Sequence, residues 1–341
     1  MSPPLMRTLI TIGKTIGSIL ITMLGLMFVT FLIGRVMPVD PVLSVVGERA
    51  SQEIYDAVYY EMGLDKPVIV QFGYYLWDVL HLDFGMSLLN ARPVSEDIAR
   101  VFPATMELAS LGTIIGIVFG VPLGVISAVK RGTWVDQTGR VVALVGYSMP
   151  IFWLGLMGLL IFYGILGWVA GPKRLDIFFE DIVVNRTGMI LIDSAMQGEW
   201  GVFKNAFSHI ILPASILGYY SMAYISRMTR SFMLEQLSAE YITTARVKGL
   251  PERTVIWRHA FGNIKVQLVT VIALSYANLL EGAVLTETIF SWPGIGSYIT
   301  TALLSADMAA VLGGTIVVGL IFVLLNIFSD LLYKFFDPRA K

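Results

Sequence analysis

The chain has 341 residues, of which 56% are hydrophobic and only 14% are charged. Because soluble domains carry about 25% charged residues, this composition excludes an ordinary soluble domain and predicts a membrane protein. The chain has no cysteine and three scattered histidines, which exclude a disulfide framework and a thiolate metal site, so we expect no bound metal.

Six apolar segments predict transmembrane helices, since a helix needs about 20 apolar residues to cross about 30 Å of hydrocarbon. They are residues 9–33, 106–129, 141–166, 210–224, 266–284 and 309–332, the fourth being the shortest. The first is longer than the apolar part of a usual signal peptide and no small-residue cleavage site follows it, so we expect it to be retained. The sequence therefore predicts an all-α polytopic membrane protein with six spans.

The distribution of charge predicts the orientation of these spans. With the N-terminus in the cytoplasm, the inner segments carry 15 Lys and Arg against 6 Asp and Glu, whereas the outer segments carry 9 against 17. Cytoplasmic segments of membrane proteins carry the excess of Lys and Arg. We therefore expect both termini to be cytoplasmic.

The first hundred residues predict a module added to a core of five spans. Within the long outer segment, Ser51 is a plausible N-cap of a helix that Gly63 ends, with Pro67 beyond. This helical segment is a candidate for either a lid or a docking surface. The predicted divisions are 1–101 for the first span and outer segment, 102–335 for the core, and 336–341 for a cytoplasmic tail.

Glycine recurs at every fourth residue of the second span. The four positions are Gly112, Gly116, Gly120 and Gly124. This spacing places them on one helix face, where small residues let another helix approach closely in lipid. We expect close packing within the chain, and a moving or inter-subunit contact is the alternative.

The basic inner loop, at about 235–263, predicts a short amphipathic helix. Ser238 is its expected N-cap, and Gly249 predicts a left-handed exit that turns the chain back toward the membrane. Because isolated helices below about 12–15 residues are marginal in water, a partner or neighbouring residues must hold this one. The alternative is a solvated loop anchored on lipid headgroups by arginines. Those arginines are Arg227, Arg230, Arg253 and Arg258.

Several segments together resemble one family of permeases. The inner-loop segment EYITTARVKG at 240–249 is followed by LPERTVIWRHAFGN. The other matching segments are PVDP at 38–41, GLDKP at 63–67, GYSMPIFWLG at 146–155, LTETIFSWPGIG at 285–296 and DLLYKFFDPR at 330–339. They resemble permease subunits of ATP-binding-cassette (ABC) importers of the dipeptide, oligopeptide and nickel branch, most closely the B-type membrane subunit of dipeptide importers. Val39 and the run Asp307-Met308-Ala309 depart from that pattern, both on the outer side.

The resemblance implies a type I ABC importer permease fold in the bacterial inner membrane. The chain would form half of the translocation pore for dipeptides or short peptides, in a heterodimer with a second homologous permease. Two separate subunits would bind ATP and Mg, and an extracytoplasmic solute-binding protein would deliver the cargo. The chain itself would bind no cofactor, catalyse no reaction, and contact membrane lipid but no nucleic acid. In keeping with this, Gly13-Lys14-Thr15 lacks the upstream glycine of a phosphate-binding loop.

The resemblance also implies which residues of the inner loop contact the ATPase. They are Glu240, Tyr241, Thr244, Ala245, Arg246, Lys248, Gly249 and Leu250. Independently, polar and ionisable residues within spans are costly and mark candidate positions in the translocation path. These are Glu107, Tyr276, Asn278 and Glu281, and Glu287, three residues beyond the fifth span, is a further candidate. Glu281 would meet the ammonium group of a peptide, pair with a neighbouring helix or reach the headgroups. The turn with Pro293, Gly294 and Gly296 would shape the outer gate.

Other functions remain open from the sequence. The same importer architecture carrying haem, nickel or an oligosaccharide is the first alternative. A stand-alone ion-coupled carrier, with the intramembrane glutamates as proton relays, is the second. An intramembrane enzyme is a third, although the chain has neither an obvious pair of intramembrane aspartates nor a His-Glu-x-x-His run.

Overall fold

The computed structural model of the chain describes residues 3–36, 40–47 and 49–336, which fold as helices with no β-sheet among them. The helices are α1 (Pro3–Val36), α2 (Pro41–Val46), α3 (Gln52–Glu61), α4 (Val68–Leu80), α5 (Val94–Val129), α6 (Trp134–Ser148), α7 (Ile151–Gly158), α8 (Ile190–Gln197), α9 (Trp200–Leu237), α10 (Glu240–Val247), α11 (Glu252–Thr254), α12 (Phe261–Ile289), α13 (Ile295–Leu304) and α14 (Met308–Phe336). Two π-helical segments, Leu159–Ile165 and Val255–Ala260, extend α7 and join α11 to α12. The predicted all-α fold class is confirmed.

The six predicted spans lie mainly in helices, but fewer than six helical stretches among the described residues are long and apolar enough to cross a membrane. Among the described residues, four helical stretches meet both conditions. They are Ile16–Gly34, Val94–Val129, Glu252–Ile289 and Met308–Phe328. A fifth counts if the bent pair α6 and α7 forms one broken span. Length and composition therefore support four or five apolar spans.

The third and fourth predicted spans differ from a single straight apolar helix. The third predicted span, 141–166, covers parts of α6 and α7, which meet at 97°. Pro150 causes the break, because it lacks an N–H and disfavours the helical conformation at Met149. The fourth span lies within the 38-residue α9. This helix buries polar side chains such as Ser221 and Thr229 inside the protein, so its composition is less apolar than that of a lipid-facing helix.

Contacts within the chain divide the described residues into two compact units. The first contains residues up to 100 together with 298–323, and the second contains 101–297 and the residues from 324 onward. The sequence division at 101–102 assigns 298–323 to the core, and it stays a prediction. Predictions for Val39 and for the tail beyond Phe336 concern residues outside the described ranges.

In the first unit, the predicted outer helix is present as α3. α3 begins at Ser51, whose hydroxyl accepts a hydrogen bond from the backbone N–H of Ile54 at 3.4 Å, and Gly63 follows it with φ +63°. The predicted cap and stop are thus confirmed.

Asp307 is fully buried and accepts hydrogen bonds from the Ser87 hydroxyl at 2.7 Å and from the N–H of Ala310 at 3.2 Å. It therefore ties a loop to the first turn of α14.

α9 is the central helix of the second unit, where it packs against α6, α7, α8 and α12. The glycine face of α5 also lies against it. A Cβ at Gly124 would lie 2.6 Å from the carbonyl oxygen of Ser226, and a Cβ at Gly116 would overlap the hydroxyl of Ser221. Only glycine permits this approach. The expected close packing within the chain is confirmed.

Candidate functional site

The predicted inner-loop helix is present as α10 and follows α9 almost directly. Its N-cap is Ala239, which provides no side-chain oxygen. The prediction that Ser238 caps α10 is wrong, because Ser238 instead ends α9 and donates its hydroxyl to the carbonyl oxygen of Glu235 at 2.8 Å. Glu240 lies in the first turn of α10, where the positive end of the helix dipole stabilises its negative charge.

One face of α10 is buried against the chain itself. Ile242 is fully buried and Ala245 is 7% exposed. Both belong to a hydrophobic cluster at the inner ends of α5, α9 and α12, which we call the inner cluster. Its buried members are Val125, Ala128, Met233, Ile242, Ala245, Val255, Ala260 and Ile264. Neighbouring residues thus hold a helix that is too short to be stable alone.

The side chain of Ala245 packs within the chain, and its role in coupling to the ATPase stays a prediction. The sequence predicts that this small side chain contacts the ATPase, but the structure turns it into the inner cluster. A small residue is needed there because α10 lies close to the helices beneath it. Ala245 is therefore a contact within the chain.

The chain leaves α10 by the predicted left-handed turn. Gly249 has φ +75°, a conformation that costs glycine little. Across this turn, Arg246 donates from Nε and Nη2 to the two carboxylate oxygens of Glu252, at 2.7 Å and 3.3 Å. Both side chains are exposed, so the pair contributes only about 0.2–1 kcal/mol. It links the last turn of α10 to the first residue of α11.

The other face of α10 is open. Among the predicted contact residues, those exposed are Glu240, Tyr241, Thr244, Arg246, Lys248, Gly249 and Leu250. Val247, which is not among the predicted contact residues, is 83% exposed. An apolar residue on the outer face of an amphipathic helix is the signal that could have found it. Together with exposed Tyr241 and Leu250, Val247 adds apolar surface to this part of the inner loop.

A buried ion pair joins α6 to α9 near the inner side. Arg230 donates from Nε and Nη2 to both carboxylate oxygens of Asp136, at 2.7 Å and 2.9 Å. The side chain of Asp136 is only 2% exposed. The alternative prediction, that Arg230 anchors the loop on lipid headgroups, is therefore wrong. One turn earlier, the Arg227 guanidinium lies 4.7 Å from the ring centroid of Tyr147.

Glu107, a candidate for the translocation path, is buried in contacts at the other end of α5. One carboxylate oxygen accepts a hydrogen bond from Nη2 of Arg174 at 2.5 Å, and the other accepts from the N–H of Leu191 at 2.7 Å. Nη2 of Arg174 also donates to the carbonyl oxygen of Gly188 at 2.7 Å. The carboxylate thus joins α5 to the 173–174 segment and to the first turn of α8.

Glu287 is also enclosed by the chain, beside the predicted gate turn. Its carboxylate accepts from the Thr105 hydroxyl at 2.5 Å and from the N–H of Ser297 at 3.0 Å. A Cβ at Gly294 would overlap this carboxylate, and a Cβ at Gly296 would lie 2.6 Å from the Cα of Val284. The two glycines are therefore required for the turn to close over Glu287.

The remaining residues of this region differ in exposure. Asn278 and Glu281 are exposed on α12, and the half-buried Tyr276 shares a 3.3 Å hydrogen bond with the hydroxyl of Ser110. Pro293 is exposed at the gate turn. The structure thus separates the five path candidates into two enclosed carboxylates and three residues on more open faces.

Comparison with known proteins identifies the family. Residues 120–341 match the family described as binding-protein-dependent transport system inner membrane component, and residues 6–109 match the N-terminal part of such membrane components. The chain belongs to this family. It is thus a multi-pass protein of the bacterial inner membrane with a role in transport.

Relatives within the family cover almost the whole chain. The dipeptide transport system permease protein DppB of Escherichia coli is 43% identical over 332 residues, covering 96% of this chain and 97% of the relative. The probable D,D-dipeptide transport system permease protein DdpB of the same organism is 42% identical, with 92% of each chain covered. DppB of Alkalihalophilus pseudofirmus is 42% identical, with 94% and 95% covered.

Solved structures share the fold. The inward-facing MetNI methionine ABC transporter matches with a TM-score of 0.53 and 15% identity, over 70% of this chain and 95% of that chain. An amino acid ABC transporter solved with histidines matches with a TM-score of 0.50 and 10% identity, over 70% and 94%. These matches confirm the predicted type I importer permease fold.

Proposed function

We propose that this chain forms half of the translocation pore of an ATP-driven importer for dipeptides or other short peptides. Relatives at 42–43% identity are dipeptide transport system permeases, which supports this class of cargo. The second half of the pore would be a homologous permease. Two separate subunits would bind ATP and Mg, and a solute-binding protein would deliver the cargo outside.

The observation that carries the proposal is the two-sided packing of α10. Its inner face is fixed in the inner cluster by Ile242 and Ala245, and its outer face presents Tyr241, Val247 and Leu250. A partner bound to the outer face would push on a packed element rather than on a flexible loop. Because packed interiors transmit strain, movement of α10 would move the inner ends of α5, α9 and α12 together.

We assign the translocation path to the more open residues of α12. Tyr276, Asn278 and Glu281 are retained as candidates, and exposed Glu281 would attract the ammonium group of a peptide. Both carboxylate oxygens of Glu107 and of Glu287 are occupied within the chain. We therefore assign those two residues a structural role rather than a role in the translocation path.

The gate role of Pro293, Gly294 and Gly296 stays part of the proposal. The support is local: the turn is fitted tightly to the buried carboxylate of Glu287. Trp292, fully buried beside it, donates its indole N–H to the carbonyl oxygen of Ala104 at 2.9 Å. A turn held at both ends would move as a unit when α5 and α12 shift.

The experiment is a change of charge on the outer face of α10. Val247→Asp leaves the inner cluster untouched because the side chain is 83% exposed. We expect unchanged membrane insertion but a loss of about 30-fold in ATPase affinity, as at a contact whose loss costs about 2 kcal/mol. Recovery of ATPase subunits with the tagged permease and uptake of labelled dipeptide in cells are the two readouts.

The matched control is Ser231→Asp, which adds the same charge at an exposed inner position outside α10. It should retain both ATPase recovery and uptake. Normal ATPase recovery and uptake in Val247→Asp would contradict the coupling role.

A further inference from the structure

A cavity of about 390 Å³ lies beside the gate turn, on the side that the charge distribution predicts to be outer. Its lining residues are Lys173, Arg174, Leu175, Glu180, Ser291 and Pro293. Sites for small molecules in proteins measure about 300–1,000 Å³. The cavity, which we call the outer pocket, thus suits a ligand at the small end of that range.

The walls of the outer pocket are fixed to each other. The backbone N–H of Lys173 donates to the carbonyl oxygen of Phe290 at 2.8 Å, and the guanidinium of Arg174 lies 5.7 Å from the ring centroid of Trp292. The 173–174 segment is therefore joined to the residues that follow α12. These contacts between the two walls hold the shape of the outer pocket.

The backbone of both walls is strained. Lys173 has φ +91° and Ser291 has φ +46°, in the left-handed region that residues with a Cβ disfavour. Such conformations persist where the surroundings enforce them, and they concentrate at functional sites. Two strained residues face one pocket here, one from each wall.

The charges of the outer pocket are of both signs, and two of them are unpaired. Arg174 is neutralised by Glu107. Lys173 and Glu180 are exposed and form no ion pair within the part of the chain that the structure describes. One ammonium and one carboxylate are thus left to meet a ligand.

We propose that the outer pocket binds the zwitterion of a short peptide, with Lys173 on its carboxylate and Glu180 on its ammonium group. A ligand carrying both charges matches both free groups, whereas a simple anion or cation matches one and is repelled by the other. The inference rests on the proposed function and deepens it. It gives the cargo a recognition position on the permease itself, beside Pro293 of the gate turn.

The experiment measures peptide binding to the assembled importer in nanodiscs without the solute-binding protein. The probes are labelled L-alanyl-L-alanine, its C-terminal amide and its N-acetyl form. We expect wild type to bind the amide about tenfold more weakly than the free peptide, and Lys173→Met to remove that difference. Glu180→Gln should remove the difference between the free and the N-acetyl peptide in the same way.

Lys204→Met is the matched control, because it removes an exposed lysine from α9 outside the pocket. It should bind all three probes as wild type does. Equal binding of the free and blocked peptides by wild type, or no measurable binding of the free peptide, would overturn the proposal. The proposal also fails if Lys173→Met only raises the concentration of loaded solute-binding protein needed to stimulate the ATPase, since the pocket would then be a protein contact.

Failure of the pocket is distinguishable from failure of the proposed function. If only the pocket assignment is wrong, wild type still takes up dipeptide in cells and still recovers the ATPase. If the importer assignment is wrong, wild type itself takes up no dipeptide and recovers no ATPase.

Discussion

Replacing Ile242 by alanine should release α10 from the rest of the chain. Ile242 is fully buried in the inner cluster. The change removes three carbons at about 0.8 kcal/mol each, and the cavity left behind brings the loss to about 3 kcal/mol. An eight-residue helix has little stability of its own. Most of the loss should therefore appear as local opening of α10, whose open population rises roughly 150-fold.

Amide hydrogen exchange of the purified protein measures this opening directly. The amides of α10 should exchange faster in Ile242→Ala by a similar factor, while those of α9 and α12 keep their protection. Thr243→Ala is the control, because it truncates an exposed neighbour on the same helix and should change exchange by less than about threefold. If α10 exchanges equally in Ile242→Ala and wild type, the inner cluster does not hold the helix, and the argument that α10 passes movement to α5, α9 and α12 fails.

Two further substitutions test the packing around α9. Asp136→Asn leaves Arg230, whose side chain is only 22% exposed, without its partner carboxylate, which should cost about 3 kcal/mol and lower the thermal midpoint of the purified protein. Arg140→Gln removes a charge 3.8 Å from the same carboxylate but 57% exposed, so it should hardly change that midpoint. Gly116→Ala places a methyl on the side chain of Ser221 and should cost about 1–3 kcal/mol. Ser221→Gly by itself should also lower the midpoint, because it removes the 2.8 Å hydrogen bond to Ser275. The loss in the double variant should be smaller than the sum of the two single losses, and additive losses would refute the contact.

Much of the local structure was predictable from short stretches of sequence. The all-α class, the cap at Ser51, the left-handed exit at Gly249 and the glycine face of α5 were all predicted. Each depends on residues within a few positions of one another, because helices are closed by hydrogen bonds four residues apart. The break at Pro150 obeys a local rule too, although the apolar run around it hid the 97° bend.

Tertiary structure decided which side chains meet. The sequence marks Ala245 as a partner contact and Arg230 as a lipid anchor, but the fold buries the first and pairs the second with Asp136, 94 residues away. It likewise encloses Glu107 and Glu287, which look like path residues from the sequence alone. Periodicity tells which residues share a helix face. Which face packs against another helix depends on contacts between distant segments, so the spacing of residues within one segment does not determine that face.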